Sequence, residues 1–325
     1  MLARCLAAVL IASAPGLVLA QAGSAKTYPE RPIRFVCPLP PGGSPDTIAR
    51  AIAQKLGETW PQPIVVENRT GGNQNIGADL VAKSTPDGYT WLMTPDNVLA
   101  MNSHLDKTPF NPLTDFTPVM LLARIQFLLV VTPSLPVKSV QELVAYAKAN
   151  PGSLNYGSAG VGSPQHMGAS LLQYLAGIQM NHVPYKGAAP AITDLLPGRI
   201  QVWIGAANSL LPQIKDGKLR LLASAGSRRY STLPDVPTVA ESGVPGYGLN
   251  VWLGLTMAAK VPRAIVAKVN AEVTRALDAP EVRNRLVPQG IELAPGSPAE
   301  FAQLVRDDYA RWGKVIKAAG IKAEQ

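Results

Sequence analysis

Val119-Met120-Leu121-Leu122-Ala123-Arg124-Ile125-Gln126-Phe127-Leu128-Leu129-Val130-Val131 is an apolar run interrupted by the polar notch Arg124-Ile125-Gln126. It falls short of the roughly 20 uninterrupted apolar residues that a membrane span requires. Upstream, short apolar runs alternate with amphipathic patterns, predicting strands at 33–39, 64–67 and 89–94 and helices at 45–57 and 75–84. Downstream the rhythm starts again. Strands are predicted near 154–157, 181–185, 200–206 and 219–225, with helices near 139–149, 164–176, 188–196 and 208–216. Two βα series of this kind argue for an α/β protein with parallel strands and helices on the sheet faces. Residues 233–249 are irregular and rich in Pro and Gly. Val251-Trp252-Leu253-Gly254-Leu255 then reads as a further strand, followed by helices near 262–278, 280–287 and 297–319.

The 325 residues hold 30 Lys+Arg against 22 Asp+Glu, a formal net charge of +8. Apolar residues at 47% are ordinary, whereas charged residues at 16% fall below the about 25% usual for soluble domains. This balance excludes intrinsic disorder, and Gly has no triplet period that would indicate collagen. The length suggests about two domains. The 30 prolines serve as punctuation: Pro262, Pro280 and Pro298 suit first-turn positions, where a missing N–H costs nothing. Ser139-Val140-Gln141-Glu142 and Ser297-Pro298-Ala299-Glu300 match the capping box.

Residues 1–22 read as a secretory signal, with Arg4 in the charged region and Leu6 to Leu19 as the apolar stretch. Cleavage is expected near Ala20 or Ala22, giving a periplasmic protein of net charge +7. Cys5 would leave with this segment. Cys37 remains alone in Ile33-Arg34-Phe35-Val36-Cys37, where it reads as a small core hydrophobe.

Two segments share a design. Cys37-Pro38-Leu39-Pro40-Pro41-Gly42-Gly43-Ser44-Pro45-Asp46 ends a strand and opens a helix. Tyr156-Gly157-Ser158-Ala159-Gly160-Val161-Gly162-Ser163-Pro164-Gln165-His166 does the same in the second series. In each, Ser-Pro reads as N-cap and first helical residue, and the helix start offers free amides and a positive dipole end to an anion. Such loops fall at the carboxyl ends of strands, where α/β sheets bind ligands. Either loop alone would pass for an ordinary turn; two of them point to an anion shared between them. Asn68-Arg69-Thr70-Gly71-Gly72-Asn73-Gln74-Asn75 and Thr94-Pro95-Asp96-Asn97 open at the same edge, with amides suited to orienting a small ligand or merely to a solvated turn. Tyr185-Lys186-Gly187 could place a phenol and an ammonium near an acid.

Enzyme readings find little support. Ser163 with His166 could serve as nucleophile and base of an exported hydrolase, but no orienting carboxylate is evident and Ser163 is better used as a cap. His104, His166, His182 and Cys37 have no metal-ligand spacing, and no phosphate-binding loop motif occurs. Neither metal nor cofactor is expected. Basic residues are dispersed, so nucleic acid is not an expected partner.

The chain resembles the Bug-type substrate-binding proteins of tripartite tricarboxylate transporters, from about Tyr28 to the C-terminus. The resemblance rests on an ordered set of motifs. These are Tyr28-Pro29-x-Arg31-Pro32-Ile33, Pro41-Gly42-Gly43-Ser44-x-Asp46, Val66-Glu67-Asn68-Arg69, Pro86-Asp87-Gly88-Tyr89-Thr90 and Asp115-Phe116-Thr117-Pro118. Gly157 to Ser163, His166, Val183-Pro184-Tyr185-Lys186-Gly187 and Leu233-Pro234-Asp235-Val236-Pro237-Thr238 complete it.

The resemblance implies a two-lobed, type II-like periplasmic binding protein with a ligand cleft between lobes, each lobe a sheet flanked by helices. Lobe 1 would comprise 23–123 and 247–325, and lobe 2 would comprise 124–246. It implies a non-enzymatic, monomeric receptor that delivers a small organic acid to membrane transporter subunits. A sensory protein presenting the ligand to a membrane kinase is the other possibility. Family members hold a carboxylate through loop amides and bridging waters, matching Gly42, Gly43, Ser44, Gly157, Ser158 and Ala159. The wider set expected around the ligand adds Asp46, Asn73, Thr94, Asp96, Ser163, His166, Tyr185 and Asn208. The acid could be a dicarboxylate, a tricarboxylate, an aromatic acid or an amino acid. Two departures stand out. The family often has Gly-Ala-Gly-Gly-Asn-Ile-Gly where this chain has Thr70-Gly71-Gly72-Asn73-Gln74-Asn75-Ile76-Gly77, and no acidic residue follows Val202-Trp203-Ile204-Gly205-Ala206-Ala207-Asn208.

Overall fold

A computed structural model describes residues 27–322. The proposed signal segment, with Arg4 and Cys5, lies outside the described residues. The first series runs β1 (Ile33–Cys37), α1 (Ser44–Leu56), β2 (Ile64–Asn68), α2 (Asn75–Ala82), β3 (Thr90–Pro95) and the short α3 (Asp96–Ala100) and α4 (Asn102–Leu105). The apolar run then supplies two strands, β4 (Phe116–Ile125) and β5 (Phe127–Val131). The second series follows as α5 (Val140–Ala149), β6 (Asn155–Ser158), α6 (Pro164–Ala176), β7 (Asn181–Pro184), α7 (Ala188–Leu195), β8 (Val202–Ala206), α8 (Ala207–Lys215) and β9 (Arg220–Ser224). The chain ends with β10 (Val251–Ala258), α9 (Arg263–Asp278), α10 (Pro280–Leu286), β11 (Ile291–Leu293) and α11 (Pro298–Ala319).

These strands form two sheets, ordered β11-β4-β10-β3-β1-β2 and β7-β6-β8-β5-β9. The two strands of the apolar run belong to different sheets, with Gln126 alone between them. Gln126 donates its N–H to Gly290 O (3.2 Å) beside the first sheet, and its carbonyl accepts from Ala207 N (2.8 Å) beside the second. The notch is polar because a residue between two sheets must satisfy its backbone on both sides. Both neighbouring strands are interior to their sheets, which explains their nearly unbroken apolar character.

The expectation of parallel sheets requires correction. Only β2-β1-β3 and β7-β6-β8 are parallel. Strands β10, β4 and β11 pair antiparallel in the first sheet, and β5 pairs antiparallel with β8 and β9 in the second. Of the five antiparallel pairs among the described residues, four involve β5 or β10, which enter their sheet from the other one instead of through a right-handed βαβ unit, and the fifth joins β4 to β11. The reading also omitted β11, α3 and α4, all too short to show a period.

Helix α11 carries the first half's longest amphipathic face. Phe301, Val305, Asp308, Trp312 and Ile316 are buried at three- and four-residue spacing, each apolar member worth about 1.5–3 kcal/mol of burial. A full capping box joins Ser297 and Glu300 at its start, and Gly320 ends it in a left-handed conformation. The helix also straps the second crossing: Trp252 Nε1 donates to Asp308 Oδ2 at 2.6 Å, and Arg311 donates to the Gly248 carbonyl.

Candidate functional site

The carboxyl ends of β1 and β6 each lead into a helix through a Gly-rich loop. In the first loop Gly42 has φ 87° and Gly43 is the N-cap of α1. The expected cap, Ser44, is instead the first helical residue. No side chain caps the first-turn amides; Asp46, at the third helical position, instead ties the loop back to the helix, its Oδ2 accepting from the Gly42 N–H at 3.0 Å. Arg50 Nε (2.9 Å) and Asn68 Nδ2 (3.0 Å) also donate to Asp46. Burial alone would raise this carboxyl; the bonds from Arg50, Gly42 and Asn68 outweigh it and hold it below the usual range. Asp46 therefore braces the loop from beneath, which leaves the Ser44 hydroxyl uncommitted to capping.

In the second loop Ser163 is the N-cap of α6 as expected, accepting from the His166 main-chain N–H at 3.4 Å. The His166 ring turns back, and its Nδ1 accepts from the Gly162 N–H at 3.1 Å. Ser163 and His166 thus build a cap, not a nucleophile and base. Ser158, fully buried, accepts from the Gly160 N–H at 3.1 Å and lies 2.7 Å from His182 Nε2. The His182 ring lies beside both Tyr156 (ring centroids 5.0 Å) and His166 (4.2 Å), which are themselves 6.5 Å apart, and all three planes are near-parallel. Burial, helped by neighbouring His182, pushes His166 down to about 4. It is neutral near pH 7, as an Nδ1 acceptor must be. A cavity of about 460 Å³ borders this stack, between Tyr174 of α6 and Lys322 beyond α11.

Gly157 sits at the root of this loop because the buried Trp203 ring lies over it. A Cβ there would fall 3.1 Å from Trp203 and 2.5 Å from Ile200 Cδ1. Trp203 is therefore core of the second sheet, not a cleft residue. Ala159, half-buried, follows Ser158 in the turn.

The loop after β2 adopts an unusual backbone. Asn73 (φ 49°) and Gln74 (φ 73°) both occupy the left-handed region, at a cost of about 1–3 kcal/mol each for non-glycine residues. Asn102, buried, holds the turn: its Nδ2 donates to Asn73 O (2.8 Å) and Asn75 Oδ1 (2.9 Å), and its Oδ1 accepts from Asn73 Nδ2 (2.9 Å).

One pair of expected residues meets across the sheets, and a third expected residue, Asn73, meets Gly162 of the second loop. Asn208 Nδ2, at the start of α8, reaches Ser44 Oγ at 3.5 Å, and the Asn73 carboxamide packs against Gly162. Thr94 and Tyr185 have their polar atoms engaged elsewhere, and Asp96 is buried with Oδ2 unpartnered. Buried Thr94 donates to Leu92 O and contacts Thr256 Oγ1 at 2.7 Å, within the first sheet. Asp96 is fully buried, and burial, then Asp308, push its carboxyl well above the usual range. The Tyr185 phenol donates to Asp194 Oδ2 at 2.9 Å, on its own side of the second sheet. His182 and Asn102 were missed. His182 reaches the loop only through the β6–β7 register that pairs it with Tyr156, and Asn102 sits on an unrecognised short helix.

The family model described as tripartite tricarboxylate transporter family receptor matches residues 48–321. Protein BugT of Bordetella pertussis is 35% identical over 314 residues, covering 94% of this chain and 96% of BugT. Among solved structures, R. palustris Rpa4515 with adipate has a TM-score of 0.82 and 38% identity, covering 91% of this chain and 99% of its own. MatC (Rpa3494) from Rhodopseudomonas palustris with bound malate has a TM-score of 0.79 and 34% identity, covering 89% of this chain and 100% of its own. The chain thus belongs to the Bug-type receptors of the tripartite tricarboxylate transporter family, which are periplasmic solute-binding proteins.

Proposed function

We propose that this protein captures a small carboxylate between lobe 1 (23–123 and 247–325) and lobe 2 (124–246) and delivers it, as a monomer, to the membrane subunits of a tripartite tricarboxylate-type transporter. The N-terminal 22 residues direct export and are removed. The observation that carries the reading is the meeting of Ser44 with Asn208 and of Asn73 with Gly162. It sets the helix start of α1 opposite that of α8, beside the loop that opens α6. Amides at such starts bind an anion without a counter-charge, and this fits a chain with few charged residues. The acid ligands of Rpa4515 and MatC support the same class here. Binding, and not turnover, is the function: Ser163 and His166 serve as a cap.

A thermal-shift screen of mono-, di- and tricarboxylates and amino acids tests this. A true ligand at 100 times its Kd should add about 2.7 kcal/mol of stability. No shift with any acid, together with no small molecule carried over in native mass spectrometry, would overturn the reading.

A further inference from the structure

The geometry points to Asn73, positioned by Asn102, as a latch that holds the two halves together and so sets how tightly an acid is retained. This rests on the reading of a cleft that closes over its ligand. Asn73 and Gln74 hold left-handed backbones (φ 49° and 73°) that glycine adopts freely and other residues keep only when their surroundings enforce it. Here Asn102 enforces it, 2% exposed, gripping Asn73 at both its carbonyl and its side chain. The Asn73 carbonyl can only accept, so it settles the orientation of the Asn102 amide. Asn102 Oδ1 must then be the acceptor for Asn73 Nδ2, and the latch carboxamide has one pose.

That pose places Asn73 Nδ2 where a Cβ on Gly162 would stand, 2.6 Å from it, with Leu105 Cδ1 3.0 Å away. Gly162 is equally fixed, with φ 76° and its N–H bound to His166 Nδ1. Asn73 hangs from β2 of the first sheet and Gly162 lies between β6 and α6 of the second. The contact therefore exists only while the halves are together, whereas the Asn73–Asn102 grip lies wholly within the first. A contact made in one state alone shifts the population toward that state, and ligand retention follows.

Spin labels at Lys83→Cys and Lys218→Cys, both exposed and on opposite halves, report the separation; fully buried Cys37 stays unlabelled. Asn73→Gly should lengthen the label distance without ligand and with millimolar adipate or malate. It should also speed dissociation of whichever acid binds by about fivefold, as one close packing contact across the halves is lost. The melting temperature should hold or rise, because glycine relieves the left-handed strain. Asn102→Ala should act in the same direction. Unchanged label distances in Asn73→Gly would overturn the latch. If the wild type binds neither acid nor any other in the screen, the receptor reading falls, while the ligand-free distances still decide the latch.

Discussion

The Ser158 hydroxyl lies 2.7 Å from Nε2 of His182, so an imidazole on one parallel strand fixes the loop that leaves its neighbour. His182→Ala would strip a buried hydroxyl of this partner, at about 1–2 kcal/mol. An acid found by the thermal-shift screen, titrated calorimetrically into a variant with native circular dichroism, should bind about tenfold more weakly, and His182→Asn should recover part of the loss. Equal affinity in the alanine variant would remove His182 from the site's support.

His166 makes the second loop sensitive to acid. Its ring is near 6.5 in the unfolded chain and about 4 when buried. Below pH 6.5 the unfolded state therefore takes up a proton that the native state refuses. The stabilisation is complete above about 6.5 and is lost as pH falls to about 4, amounting to about 3 kcal/mol. Urea unfolding at several pH values across this window should show the decline, and His166→Gln should flatten it. Parallel curves for the two proteins would contradict the assignment.

Asp96 has the opposite sign. Burial raises its carboxyl, so the unfolded chain releases the proton first and stability falls as pH rises above the ordinary carboxylate range. Its Oδ2 is buried without a hydrogen-bond partner, while Oδ1 accepts from Asn97 N at 2.9 Å. Asp96→Asn retains that acceptor and cannot ionise. Its melting temperature relative to wild type should improve as pH rises above the ordinary carboxylate range; a constant difference would count against a raised carboxyl.

Gly157→Ala should cost about 1–3 kcal/mol by overpacking against Trp203 and Ile200. Combining it with Ile200→Val, which shortens the side chain in the closest contact, should return part of that stability in chemical denaturation. No recovery in the double variant would mean that the strain lies elsewhere.

The elements that could be read from sequence are those whose period or end chemistry is local. The Gly/Ser loops, the Ser163 and Ser297 caps and the two-series division at Gln126 belong to this group. Strand direction could not be read, because β5 and β10 join their sheets from the far side of a crossing and carry no mark of it. Side-chain roles split along the same line. Gly42, Gly43 and Ser44 form a strand-to-helix turn that is marked by their own residue types. Asp46, Thr94 and Tyr185 are claimed by partners that only the folded chain brings near, Asn68 for Asp46, Thr256 for Thr94 and Asp194 for Tyr185, while Asp96 is buried within electrostatic reach of a second carboxyl, Asp308. The left-handed turn at Asn73 was hidden for the same reason, since its enforcer is Asn102.

The order of strands also dictates an order of assembly. All five strands of the second sheet lie between Phe127 and Ser224, a single uninterrupted stretch. The first sheet places β10, from the last third of the chain, between β3 and β4, and is strapped by α11, the last helix. As synthesis proceeds from the N-terminus, the later-coded sheet can fold at once. The earlier-coded one waits, its β3 and β4 edges unpaired, until residues beyond Val251 emerge. Such exposed edges invite wrong pairing, so the half made first is the one that needs protection longest.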